Sequence, residues 1–185
     1  MAGRSRVLVD LFQLFIGNPP GIENKDVIVL NSPSLFALVY VPFDKANAHQ
    51  PLPRSLPTLV PGCTSFEVER SDESTMVIRS KAPNIFSCDE VGPVHPLYAL
   101  RFSNTFLSAM QFKAGERIER RSMEVEILEL DAAQLPSRVA MRFKASLDSP
   151  TFHCLRFDCQ SCSYEPFAVP AVGQRVIVWG PVTPG

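Results

Sequence analysis

The stretch FHCLRFDCQSCSYEPF, residues 152–167, holds three of the chain's five cysteines and one of its three histidines. Either sulfur and imidazole assemble a site here, or a β-hairpin carries cysteines at its tip. Side-chain alternation favours the hairpin. In an extended Phe152–Asp158, His153, Leu155 and Phe157 face one way, and Phe152, Cys154, Arg156 and Asp158 the other. With Gln160-Ser161 as a two-residue turn, Cys159 and Cys162 stand opposite each other and Ser163 to Ala168 runs back. A facing pair with Cα atoms ~5.5 Å apart can close a disulfide. Thiol oxidoreductases, however, set such a pair at a helix N-terminus to lower a thiol pKa, and a hairpin supplies no such dipole.

The metal readings are weaker. Cys154, Cys159 and Cys162 have the C-x4-C-x2-C spacing of plant-type iron–sulfur ferredoxins, which need a fourth cysteine downstream. None follows Cys162; Cys63 and Cys88 precede it, and the intervening Leu-Arg-Phe-Asp lacks the glycines of a cluster loop. A zinc site can be drawn from Cys88, Cys159, Cys162 and either Cys154 or His153, but strong zinc signatures contain two CxxC pairs and this chain has one. No metal or other cofactor is expected.

The totals describe a globular chain. Its 185 residues are 45% apolar and 20% charged, enough to bury a core without covalent staples. The 17 prolines, dispersed between apolar runs, argue for many short segments. A net charge of −1 and a pI near 6.3 supply no positive field for phosphates, so no nucleic-acid partner is expected. The odd cysteine count and a start unlike a secretory leader favour a reducing compartment, cytoplasmic or peripheral to the cytoplasmic membrane.

Outward from the hairpin, the chain divides into an N-terminal amphipathic helix and linker (1–25), one β-rich domain (26–180) and a fraying tail (181–185). In the first, Leu8, Leu11, Phe12 and Phe15 fall at helical spacing and form an interaction face, either against the domain or on a membrane surface. The apolar stretch from Val7 to Ile16 is too short for a bilayer, which needs about 20 residues. Asp26–Asn31 (DVIVLN) reads as a strand buried on both faces, followed by a short helix from Ser34 to Val41 that Pro42 ends. Prolines 51, 53, 57 and 61 permit only extended chain with an edge strand near Leu56–Val60. Thr64–Arg70 and Thr75–Ser80 form a hairpin around Ser71–Ser74. Residues 82–96 read as loop and Leu97–Met110 as a helix.

From there β structure dominates. Arg121–Asp131, with Leu128 off the beat, pairs antiparallel with Ser137–Ala145, and Arg175–Trp179 is the last strand. Ala114-Gly115-Glu116-Arg117-Ile118 and Val172-Gly173-Gln174-Arg175-Val176 are matching strand entries through a glycine turn. Glu116, Glu119, Glu124, Glu126 and Glu129 alternate with apolar residues as a solvated face, paired to Arg117, Arg120 and Arg121.

No nucleophile elbow, phosphate-binding loop, zincin helix or dinucleotide fingerprint is present. Asn31-Ser32-Pro33 follows a buried strand, where open α/β folds place ligands, so Ser32 with Asp89 and His95 is the one triad that can be drawn. His49 reads as exposed loop.

Three stretches, DVIVLNSPSLFALVYVPF (26–43), PLPRSLPTLVPGCTSFEVERSDESTMVIRS (51–80) and VAMRFKASLDSPTFHCLRFDCQSCSYEPFAVPAVGQRVIV (139–178), resemble the C-terminal soluble portion of uncharacterised multi-pass bacterial membrane proteins. The likeness lies in the strand-Asn-Ser-Pro segment, the Pro-rich link to a Glu/Arg hairpin, and Arg-Phe-x-x-x-Leu-x-x-Pro leading to a final hairpin. It implies a domain beside a membrane partner, with Val7–Ile16 the remnant of a helix arriving from the membrane, and it carries no catalytic residues. This chain departs from the pattern in having no multi-spanning segment and in carrying cysteines where a Gly-rich turn is usual.

The expected fold is α+β, mainly β: antiparallel hairpins in a barrel-like or sandwich-like sheet, with a few short helices. The expected role is a non-catalytic accessory or interaction domain. A metal-binding or thiol-redox protein using Cys159 and Cys162 is the first alternative, and a hydrolase around Ser32 the second.

Overall fold

Asp26–Asn31 forms β1, buried at every position, as an unbroken apolar run requires. In the computed structural model, which describes residues 16, 19–32, 35–60, 64–87, 110–158, 160–161 and 163–180, β1 is the centre of the first of two sheets. Its neighbours are β2 (Thr58–Val60) and β8 (Phe152–Asp158), both parallel to it, and β9 (Ser163–Pro166) completes the order β2-β1-β8-β9. The expected edge strand near Leu56–Val60 is therefore present. Parallel pairing demands a crossover, and α1 (Leu35–Asn47) supplies it between β1 and β2.

The prolines before β2 do not starve β1 of partners. Val27 N–H donates to Ser55 O and Val29 N–H to Pro57 O, each at 2.9 Å, while Arg54 N–H donates to Lys25 O. Proline lacks a donor but keeps its carbonyl, so an extended Pro-rich edge can still accept from the strand beside it.

The second sheet is antiparallel throughout, in the order β10-β3-β4-β7-β6-β5. Its strands are β3 (Phe66–Arg70), β4 (Thr75–Ser80), β5 (Arg117–Glu119), β6 (Met123–Leu130), β7 (Pro136–Phe143) and β10 (Arg175–Val178). The two sheets stack as a sandwich and do not close into a barrel. Between them lie Ile28 and Leu30 of β1, Cys154 of β8, and Phe66, Val68 and Ile78 of the second sheet, among others. Phe143 and Phe152 meet edge-on across this layer, their centroids 5.5 Å apart. On the far side of the first sheet, Val27, Val29, Leu155 and Phe157 pack against Leu38 and Val41 of α1. β1 and β8 thus each feed two cores.

Three details differ from or refine the sequence expectations. The helix does not stop at Pro42 but runs through it to Asn47. Leu38, Val41 and Lys45 form a buried stripe at helical spacing, while Pro42 and Phe43 are exposed. Packing along that stripe outweighs the cost of an interior proline, about 3 kcal/mol. Leu128, off the beat in sequence, coincides with a register shift between Ile127 and Glu129, a bulge that restores alternation. The acidic face of the second sheet is paired, but mainly to cations opposite in register. Arg142 lies 2.7 Å from Glu126 and 3.1 Å from Glu124, Arg138 2.9 Å from Glu129, and Arg117 3.5 Å from Glu126. Arg120 and Arg121 sit in the β5–β6 connection, out of register with those acids.

The matching glycine entries are real. Gly115 (φ +81°) and Gly173 (φ +82°) take the left-handed conformation, and each N–H donates at 2.7 Å to the adjacent strand, at Ile127 O and Arg70 O. They deliver the chain into β5 and β10, the two edges of one sheet. The expected N-terminal amphipathic helix, apart from Ile16, and the expected helix Leu97–Met110, apart from Met110, fall outside the described residues.

Phe66 is wholly buried in the inter-sheet core. Phe66→Ala is expected to lower unfolding free energy by about 3–5 kcal/mol, read as a fall in urea midpoint with unchanged slope.

Candidate functional site

At the carboxyl ends of β1 and β8 the chain departs in opposite directions: β1 leads through α1 to β2, and β8 turns back into β9. In open parallel sheets ligands bind at such a divergence. The residues there are Asn31, Ser32, Phe157 and Tyr164, with the cysteine-bearing turn just beyond.

Asn31 is fully buried, and its amide works as a two-sided tie. Oδ1 accepts from Phe157 N–H at 2.8 Å, and Nδ2 donates to Trp179 O at 3.0 Å and to Phe157 O at 3.4 Å. β8 is thereby joined to β1, and the end of β10, in the other sheet, to both. Nearby, Gly180 N–H donates to Ser65 Oγ at 2.9 Å in the interior.

Ser32 lies 2% exposed, with its hydroxyl 2.8 Å from the Tyr164 hydroxyl. Tyr164 in turn meets Phe157 edge-on, at 5.4 Å between centroids. A hydroxyl sunk in this layer is not presented to a substrate arriving from solvent. Asp89 and His95, the other members of the triad drawn from sequence, fall outside the described residues.

The final hairpin has the expected alternation and register, with Leu155 opposite Pro166, Phe157 opposite Tyr164 and Asp158 opposite Ser163. Gln160 and Ser161 form its turn, where Ser161 N–H donates to Asp158 Oδ2 at 2.7 Å. That bond holds the Asp158 carboxyl below the usual carboxylate range. Cys154 faces the inter-sheet core as a free thiol, and burial pushes its pKa up to about 12. It is a protonated, apolar packing group at neutral pH rather than a thiolate ligand. His153 is half-buried on the opposite face of β8, so the two adjacent residues do not converge on one point. Cys88, Cys159 and Cys162 fall outside the described residues, as do Leu8, Leu11, Phe12 and Phe15. Among the described residues no three His, Cys, Asp or Glu side chains gather to hold a metal.

Two ion pairs, each with one buried and one exposed member, escaped the sequence reading. Asp26, 4% exposed at the start of β1, is bound by the Arg54 guanidinium through both carboxylate oxygens and by Ser55 Oγ at 2.6 Å. The Arg54 hydrogen bond outweighs burial and lowers the carboxyl pKa. An aspartate opening an apolar strand is itself the signal, because a buried charge needs a partner. Arg70, also buried, forks onto Asp148 at 2.8 and 2.7 Å and donates to the carbonyls of Asp72 and Glu73. It pins the β3–β4 turn to the β7–β8 connection.

No family model, curated protein or solved structure matches this chain.

Asn31→Ala is expected to cost about 2–4 kcal/mol, since it leaves the buried Phe157 N–H and the part-buried Trp179 O without their partner, and Ser32→Ala about 1 kcal/mol. Urea unfolding of the two variants checks that order. Burial, then the Lys25 charge, lowers the His153 pKa below its ordinary value of 6.5. Above 6.5 both the folded and unfolded states hold this histidine neutral. As pH falls through 6.5 the unfolded state protonates first and the native state loses stability. A stability–pH curve should therefore decline below about pH 6.5, and His153→Gln should flatten that part of it.

Proposed function

We propose that this chain is a non-catalytic interaction domain that works beside a membrane-protein partner. The observation that carries this reading is the state of Ser32: the residue best placed for nucleophilic chemistry is buried and bonded to Tyr164 at the end of a structural strand. The other reactive groups of the described residues point the same way. Cys154 is an interior thiol, Asp26 is engaged by Arg54 and Ser55, and Asn31 joins two sheets. The membrane partner rests on the resemblance of residues 26–43, 51–80 and 139–178, and on the apolar spacing of Leu8, Leu11, Phe12 and Phe15. No helix among the described residues is long and apolar enough to cross a membrane, so in this reading the partner supplies the span.

A thiol role for Cys159 and Cys162 has one observation in its favour: Gln160 and Ser161, which separate them in the sequence, form the turn beyond the Asp158–Ser163 pair. Intact mass with and without reductant separates that reading, since an internal disulfide lowers the mass by about 2 Da.

The principal reading predicts that a fluorophosphonate serine probe leaves the purified chain unlabelled. Labelling that Ser32→Ala abolishes would sink it in favour of a hydrolase. Its membrane side predicts that the chain floats with phosphatidylglycerol-containing vesicles or with membranes carrying the partner, and that Leu8→Ser with Phe12→Ser abolishes flotation.

A further inference from the structure

We infer that the second sheet is two copies of one three-stranded unit, related by a pseudo-twofold axis that passes through the Val77–Ala140 pair perpendicular to the sheet. One unit is β5-β6-β7; the other is β10-β3-β4, whose outer strand comes from the far end of the chain. GERIE (115–119), MEVEI (123–127) and VAMRF (139–143) of the first unit stand where GQRVI (173–177), FEVER (66–70) and MVIRS (76–80) stand in the second. Strand alternation by itself matches apolar to apolar. It does not set the same glycine, the same Glu-Val-Glu and the same two arginines at the same seats.

The backbone repeats bond for bond. Gly115 N–H donates to Ile127 O and Gly173 N–H to Arg70 O, both at 2.7 Å, from the same left-handed conformation. Ile127 N–H returns to Glu116 O at 2.9 Å, and Arg70 N–H to Gln174 O at 3.1 Å. Within each turn, Glu116 N–H donates to Lys113 O at 3.0 Å and Gln174 N–H to Ala171 O at 2.9 Å. The ladders then agree without a slip: Arg117 faces Glu126 as Arg175 faces Glu69, and Glu124 faces Arg142 as Glu67 faces Arg79.

The junction between the units supports the axis independently. A twofold requires every pair across it to map onto another pair. Met76 faces Met141, and the equivalent residues Val139 and Ile78 also face each other; Thr75 faces Arg142 as Arg138 faces Arg79; Val77 and Ala140 exchange places. This closure depends on how the units meet and not on the residues they share. Where the copies differ, the second one holds the first sheet. Arg70, at the seat of Ile127, forks onto Asp148 in the connection to β8, and beyond Ile177 the chain runs on to Trp179, whose carbonyl accepts from Asn31 Nδ2. This symmetry is independent of any docking onto a membrane protein.

Exchanging residues 113–119 and 171–177 in the full chain, KAGERIE for AVGQRVI, tests it. The exchanged chain should keep the parent's circular dichroism and a urea midpoint within about 0.5 M of it at unchanged slope. The same exchange slipped by one residue puts alanine and valine on the two left-handed seats and turns each strand's faces over, and should lower the midpoint by more than about 1 M. Gly115→Ala and Gly173→Ala serve as a second reading. A Cβ at either seat meets nothing within 4 Å, so only the backbone conformation is penalised, and the two variants should lower the midpoint equally. An in-register exchange as damaging as the slipped one, or single variants whose effects differ by more than about twofold, overturns the inference.

Discussion

A primary amide with no access to water must find partners for both its ends, and Asn31 finds them in two different sheets. Because Oδ1 and Nδ2 serve β8 and the end of β10 together, the sandwich is joined by a directional bond as well as by apolar contact. Apolar packing tolerates sliding; a donor and acceptor fixed on one planar group do not. The register of β1 against β8, the approach of the second sheet and the burial of Ser32 beside Tyr164 all follow from that fixed point. Asn31 and Ser32, at the end of a parallel strand, act together as a joint between neighbouring elements.

The same economy governs the charges. Asp26 and Arg70 are buried and each is met by an oppositely charged side chain plus further hydrogen bonds, so neither is left as an uncompensated interior charge. The acids and bases on the outer face of the second sheet are only screened surface pairs and contribute little individually. They do keep that face wet, which in turn fixes which side of β6 and β7 turns inward. Water on one face and apolar packing on the other set the strand orientation more firmly than any single ion pair.

Local patterns were legible and long-range ones were not. DVIVLN announced a doubly buried strand, TSFEVER and TMVIRS a hairpin, and the alternation through Phe152–Asp158 a strand where the spacing of cysteines suggested a metal. Even Leu128 carried its bulge as a break in period. What the sequence could not disclose was that β1 lies parallel between β2 and β8, because period-two patterning says nothing of direction or neighbour. Pro42 misled because intrinsic helix breaking is a local cost, and the stripe of Leu38, Val41 and Lys45 that overrides it exists only once the sheet is beneath. At the candidate site the identity of Asn31 and Ser32 was visible, but their partners Phe157, Tyr164 and Trp179 are more than a hundred residues away.

That separation bears on how the molecule is made. On the ribosome β1 emerges before both of its partners, greasy on both sides, and its nearest companion β2 covers only one flank. The other flank waits for β8, since Asn31 and Phe157 lie 126 positions apart. Closing so large a loop is entropically slow, and an unpaired apolar segment invites misassembly in the interval. β1 is therefore completed only after β8 has followed it, and the nascent chain is most in need of a chaperone while its centre is still half-built.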